Sequence, residues 1–450
     1  MKKFLLSVLF LTGSLIYSQQ CVERVTTANY SVTAFLEDGG IYTWGFNQWG
    51  QLGNGTFVAQ NSPVPIINAG SWADVSHARM HTVALHHDGT AWAWGNNSIG
   101  QLGDGTIIDS PSPVQVGTVT DWIAISGGNL HSVGLRSDGT LWGWGNTAGQ
   151  ELVNSATPYF TLPIQISPDT DWDKVYAGFF RTFGIKTDGT LWGRGRNLDG
   201  AVGVGHNGAV ISFTQIGTDN DWLKISTARG NHTMALKTDG TLWAWGSNEN
   251  GRLGDGTTIN RFSPVQIGND HWKDISAGEF HVIGIKMDGT LWQWGSYGWI
   301  DGVMMIPNSS VPVQVGSDND WKSVSAGYST SHAIKEDNSL WAWGYNGGWL
   351  GDGTTNSTPT PTMIIGCALA TDDFAANAVS VYPNPAQSVL QFSVNSDLAR
   401  YEIINMLGQK VNSGKINTNR IDVSELAKGV YIAVFEFADG KINKVKFMKE

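Results

Sequence analysis

Only two of the 450 residues are cysteine, Cys21 and Cys367, which excludes both a disulfide-dense miniature scaffold and a Cys-x-x-Cys metal knuckle. Charge is scarce too: Asp, Glu, Lys and Arg form 15% of the chain, against about a quarter in ordinary globular domains. Residues 21–373 hold 32 acidic and 17 basic side chains. That balance repels phosphate backbones and argues against nucleic acid as a partner. After the first 20 residues no apolar run is long enough to cross a bilayer. The Gly-Lys-Ser/Thr phosphate loop, the Gly-x-Ser-x-Gly elbow and His-Glu-x-x-His are all missing. Gly203 to Gly208 match Gly-x-Gly-x-x-Gly, but in a glycine-rich loop with no helix after it, so no dinucleotide site is assigned.

Glycine and tryptophan, by contrast, are abundant, at 56 and 21 residues, and they recur in register. The glycine closing a Trp-x-Trp-Gly-like unit falls at Gly45, Gly95, Gly145, Gly195, Gly246, Gly295 and Gly344. A period near 50 residues with turn signals in every copy marks a repeat architecture. Within a copy, "HTMALKTDGTLWAWG" places an Asp-Gly pair between two short apolar runs, which predicts a hairpin. A further column, Trp72, Trp122, Trp172, Trp222, Trp272 and Trp321, and a segment like "PVQIG" supply two more strands. Four strands per copy and seven copies predict an all-β, seven-bladed propeller with tryptophans filling the spaces between blades.

"GQLGDGT", "PVQIG", "ISAGEFH" and "ALKTDGTLWAWG" resemble the repeats of the regulator of chromosome condensation family, whose members form such propellers. Unit four departs from the pattern with Arg194 at the second tryptophan, unit three with "ELVNSA" and unit six with "GWIDGVMMIPNSS". The family's exchange activity on a nuclear GTPase sits poorly with the flanks of this chain. Residues 1–18 read as a signal peptide, with two lysines ahead of an apolar run. The segment 379–450 resembles the type A sorting domain of the type IX (Por) secretion system. That resemblance rests on Tyr382-Pro383-Asn384-Pro385, on the Gly408 motif "LGQ", on "LAKGVYIA" with Lys428, Gly429 and Tyr431, and on a lysine-rich end. It implies a small β-sandwich, passage through the type IX machinery, and an extracellular or outer-membrane-surface destination on a Gram-negative cell of the Bacteroidetes kind. The domain map is therefore a signal peptide at 1–18, a propeller at 19–368, a linker at 369–378 and a sorting domain at 379–450.

Aligning the units places Cys21 and Cys367 about three residues apart in an intact repeat, which predicts a disulfide across the ends of the ring. Two unrelated thiols, or a lipidated Cys21, are the alternatives. The blade at the junction is expected to take "PTMIIG" from the C-terminal side and Val25 to Gly45 from the N-terminal side.

No catalytic set stands out. His81, His131, His232 and His281 form a column whose members lie one blade apart. They are read as packed and hydrogen-bonded within their own blades rather than as metal ligands, and neither metal nor cofactor is assigned. The strings "TDNDW" and "SDNDW" can form carboxylate pairs, a calcium site or solvated turns. Three tryptophans fall outside the columns: Trp49, Trp299 and Trp349, all in the loop after the Trp-x-Trp-Gly strand of units one, six and seven. With Phe46, Tyr297, Tyr345, Met304 and Met305 they form a candidate patch for a protein or glycan partner. The favoured reading is thus a secreted or surface-displayed binding propeller. An extracellular hydrolase acting on polysaccharide or peptide and an exchange-factor-like protein are the alternatives.

Overall fold

The computed structural model describes residues 21–37, 39–67, 72–227, 229–296, 299–300, 303–304, 308–367, 380–382, 385–393, 398–405, 409–416, 418–437 and 442–450. The signal-peptide and linker expectations, with Tyr297, Met305, Pro383, Asn384 and Gly408, lie outside the described residues. The chain divides into two compact units, Met1–Cys367 and Ala368–Glu450.

The first unit is the seven-bladed propeller. Blade 1 consists of Val22–Ala28, Ser31–Leu36, Ile41–Gly45 and Gln60–Pro65, blade 2 of Trp72–His77, His81–His86, Ala91–Gly95 and Ser110–Gln115, and the pattern repeats to blade 7, Trp321–Ala326 through Thr358–Ile365. Blades 5 and 6 share one continuous strand, Arg261–Ala277, whose first part pairs with Thr241–Gly246 and whose last part pairs with His281–Lys286. Thr358–Ile365 pairs with Leu340–Gly344 of blade 7 and not with blade 1. The expected exchange of a strand across the junction is therefore corrected: every blade is built from one contiguous stretch, and the Cys21–Cys367 disulfide, with Cα atoms 4.7 Å apart, ties the two ends.

The repeated letters have local causes. In the hairpin turns of blades 2 to 6 an aspartate accepts from the threonine two residues on, and that threonine hydroxyl accepts the indole N–H of the half-buried first-column tryptophan. Asp88, Thr90 and Trp92 do so at 2.9 Å (backbone N–H), 2.7 Å and 2.9 Å. Ser339 plays the threonine's part in blade 7, and blade 1, with Gly40 and Tyr42, lacks the relay. The next tryptophan column, Trp44, Trp94, Trp144, Trp245, Trp294 and Trp343, is buried between blades. Four of its indoles donate to a loop carbonyl of the preceding blade, as Trp94 does to Gln51 at 2.9 Å and Trp144 to Gln101 at 2.9 Å. Trp44 closes the ring in the same way, donating to Trp349 O at 3.1 Å. Arg194 fills the vacant place in blade 4 by donating to Gln150 O at 3.0 Å.

The second unit is a β-sandwich. A three-stranded sheet, Ser380–Tyr382, Val389–Ser393 and Arg420–Asp422, and a four-stranded sheet, Lys410–Lys415, Leu398–Asn405, Gly429–Phe437 and Ile442–Lys449, enclose Leu390, Phe392, Ile403, Phe435 and Phe447. Gly429 opens the strand in which Tyr431 is buried, its hydroxyl donating to Ala427 O at 2.8 Å, while Pro385 and Lys428 are exposed.

Candidate functional site

The "DW" strands turn out to be innermost. These six and Val22–Ala28 of blade 1 line a central cavity of about 230 Å³. Serines on these strands link blade to blade: Ser76, Ser126, Ser226, Ser276 and Ser325 each accept the backbone N–H of the following blade's inner strand at 2.8–3.1 Å. Tyr176 takes the serine position in blade 4, and burial pushes its phenol up to about 12.

The turn leaving each inner strand forms the mouth of this cavity. Around it stand Asn29, Arg79, Asn129, Phe179, Arg229 and Glu279, with Tyr30 and Tyr328 beside them. The Arg229 and Glu279 side chains approach to 3.7 Å. Burial raises the Glu279 carboxyl above its ordinary range, against the pull of Arg229, Arg252 and Arg79. Burial lowers the Arg79 guanidinium, and repulsion from Arg229 adds to this. The Tyr30 phenol is held well above its usual range by burial, then by Tyr328 and Glu279.

Rings continue outward from the mouth. Phe280 meets Tyr328 at 5.2 Å, Tyr328 meets Tyr30 at 4.9 Å, Tyr30 meets Trp349 at 4.2 Å, and Trp349 meets Tyr345 at 5.2 Å, with Phe46 6.2 Å from Tyr30. The loop holding Trp349 is fixed by one buried amide: Asn346 Oδ1 accepts from Gly348, Trp349 and Leu350 at 2.9, 2.8 and 3.2 Å. Gly347 must be glycine for this, since a Cβ there would lie 2.6 Å from the Trp349 ring.

Three of the sequence-derived patch residues, Trp349, Tyr345 and Phe46, are therefore brought together, with half-buried Tyr30 as their hub. Trp49 stands apart from them. Its loop is pressed against Pro111 of blade 2 through Gly50, and among the described residues no ring pairs with it. The cause lies in loop length: "GYNGGWLGDG" is one residue shorter than "GFNQWGQLGNG", so Trp349 takes the place of Gln51 rather than of Trp49. In blade 6, Trp299 and Met304 are cross-strand partners in a short ladder. Sequence reasoning missed Tyr30, Tyr328, Phe280 and the arginines, whose turn positions follow no fixed residue type from unit to unit. It also missed Phe57, Val58, Ile107 and Ile108, exposed apolar residues in the loops of blades 1 and 2, although β-branched and aromatic side chains inside a turn segment were a usable signal.

Two other readings change. Three of the four column histidines bridge blades instead of bonding within them: His81 Nε2 lies 2.8 Å from Ser132 Oγ, whose proton goes to Gln101 O, so the imidazole is the donor. His281 Nε2 lies 3.0 Å from Ser331 Oγ of the next blade, and His131 Nε2 lies 3.3 Å from Thr182 Oγ1. The acidic strings at the opposite end of the ring clamp lysines. Lys237 binds Asp219 and Asp221 at 2.8 and 3.0 Å while lying over Trp222 and Trp243, and Lys335 repeats this with Asp318 and Asp320. Among the described residues no three His, Cys, Asp or Glu side chains converge to hold a metal ion.

The fold and the mouth define a disulfide-closed propeller with a sorting tail. The chain belongs to the RCC1-like domain family, whose model matches residues 14–296, and an RCC1 repeat model matches 321–347. Residues 380–450 match the secretion system C-terminal sorting domain, which indicates handling by the type IX system and delivery to the cell surface or beyond. No curated protein matches the sequence. Among solved structures, human WBSCR16 is 21% identical with a TM-score of 0.64, covering 72% of this chain and 94% of its own. Prp20p of Saccharomyces cerevisiae, studied for binding Gsp1p and histones, is 19% identical with a TM-score of 0.59, covering 68% and 80%. Yeast RCC1 (Prp20) bound to Kap60 is 18% identical with a TM-score of 0.61, covering 83% and 92%. At these identities the likeness is one of fold. Among the described residues no helix is long and apolar enough to cross a membrane.

Proposed function

We propose that this chain is a binding propeller, displayed on or released from a Gram-negative cell by the type IX system, that recognises an extracellular protein or glycan through the face bearing the cavity mouth. The observation that carries this reading is the ring cluster Tyr30, Trp349, Tyr345, Phe46, Tyr328 and Phe280, which spans three neighbouring blades and stays half-buried instead of sinking into the interior. Aromatic side chains contribute large contact areas to a partner at low entropic cost, and a half-exposed group of them costs the free protein solvation it recovers on binding. Trp49 and Trp299 stand in the corresponding loops of the same face and belong to the same proposal. The test replaces Tyr30 and Trp349, then Trp49 and Trp299, with alanine in the full chain and measures retention of the producing cell's extracellular glycans and proteins alongside thermal unfolding. Loss of retention at an unchanged melting temperature is expected, and unchanged retention would overturn the assignment.

A further inference from the structure

The cavity mouth holds more guanidinium than carboxylate. Arg79 lines it from blade 2, Arg229 from blade 5 and Glu279 from blade 6. Among the described residues Arg229 alone forms an ion pair with the Glu279 carboxylate, at 3.7 Å, and Arg79 has no ion-pair partner. One Glu279 carboxylate oxygen is buried without a hydrogen bond, and so is the side-chain oxygen of Asn129, a residue 4% exposed that lines the same cavity.

We propose that this mouth takes the carboxylate of an acidic sugar, a hexuronate unit of an extracellular glycan, with its ring against Tyr30 and Trp349. The inference rests on the binding reading above and names its ligand class. Two guanidinium groups facing one carboxylate leave a positive charge uncompensated in a partly desolvated site, where an incoming carboxylate gains charge-assisted hydrogen bonds. Asn129 adds an acceptor for a sugar hydroxyl. The cavity, about 230 Å³, suits one monosaccharide rather than a folded domain. Tyr30 joins the two halves of the site: it feels the charges of Arg229 and Glu279 and lies 4.2 Å from the Trp349 ring, so flat apolar faces begin where the anion site ends.

An acidic peptide fits less well. Extended peptides are read through main-chain groups on a free strand edge. Here the inner-strand N–H groups of most blades are already bonded to serines of the preceding blade.

Calorimetric titration of the full chain with D-glucuronate, D-glucose, inorganic phosphate and an acidic peptide tests the proposal. Glucuronate is expected to bind at least about tenfold more tightly than glucose or phosphate. Arg79→Met and Arg229→Met are expected to remove most of that preference, lowering glucuronate binding far more than the glucose response. Glu279→Gln is expected to tighten glucuronate binding severalfold, because the resident carboxylate no longer competes for the arginines. Thermal unfolding accompanies every variant, and Arg79→Gln replaces Arg79→Met if the latter fails to fold. Equal response to glucose and glucuronate, full competition by phosphate, stronger binding of the peptide, or arginine variants that behave like the parent would each overturn it. A partner retained through Tyr30 and Trp349 regardless of Arg79 and Arg229 would remove the anion site and leave the binding propeller standing.

Discussion

Burial holds His77, His81, His131 and His281 neutral by pushing their imidazoles down to about 3, and His332 down to about 4. In the unfolded chain each returns to its ordinary value of 6.5. Below that pH the unfolded state takes up protons that the folded state refuses, so stability is fully present above 6.5 and is lost as pH falls toward the folded values. Each such histidine removes roughly 1 kcal/mol per pH unit over that window. The melting temperature is therefore expected to drop steeply between about pH 6.5 and about pH 4.5, and His81→Asn is expected to lower it at neutral pH while flattening the descent. A melting temperature independent of pH across this range would contradict the buried neutral assignment. The column itself was legible in the sequence because its spacing matches the repeat. Its partners, Ser132 and Ser331, were not, because the contact runs between units and no single repeat contains both ends.

The inner strand is the element that turns separate hairpins into a ring. Its serine accepts an N–H that would otherwise be buried and unpaired, a loss worth about 1–3 kcal/mol. Ser126→Ala, which strips Ala177 N–H of its 2.9 Å acceptor, and Ser226→Ala, which does the same to Ala277, are each expected to lower stability by about 1–2 kcal/mol in denaturant titration. A change within experimental error for both would mean that water replaces the hydroxyl. Strand type, hairpin turns and the Asp-Thr-Trp relay were readable from "DGTLWAWG", since each is a local rule repeated in most copies. Strand order was less so: nothing local says that the "DW" strand faces the axis, and the cavity-lining turn after it varies from Asn29 to Arg79 to Phe179 to Glu279. Repetition makes a scaffold legible and hides the candidate site, because the proposed binding residues sit where the copies differ.

At the scale of the whole propeller, closure is the one seam that no continuous backbone crosses. Propellers that exchange a strand across the junction hold their ends by a full ladder, whereas here blades 1 and 7 are each complete and meet as any two neighbours do. Trp44 donating to Trp349 O and Val22 N donating to Asn338 O at 2.9 Å repeat bonds made at other seams, as by Trp94 to Gln51 O and Trp222 N to Gly189 O, so what is special to the junction is the Cys21–Cys367 bond. The bond closes a loop of 346 residues, which on the chain-entropy account adds on the order of 5 kcal/mol, less whatever the packed interface already constrains in the unfolded ensemble. Cys367→Ser, or reduction of the folded protein, is thus expected to lower the melting temperature and the denaturant midpoint together. With that bond cut, the interface of blades 7 and 1 is expected to open first, so hydrogen exchange should rise selectively in Val22–Ala28 and Trp321–Ala326 while the shared strand Arg261–Ala277 keeps its protection. The consequence reaches the candidate site, since Tyr30 and Trp349 face each other across this same seam at 4.2 Å. Partner binding should weaken on reduction before the protein unfolds, and return on reoxidation. Exchange that rises evenly around the ring, or binding indifferent to reduction up to the melting transition, would show that packing alone holds the ring closed.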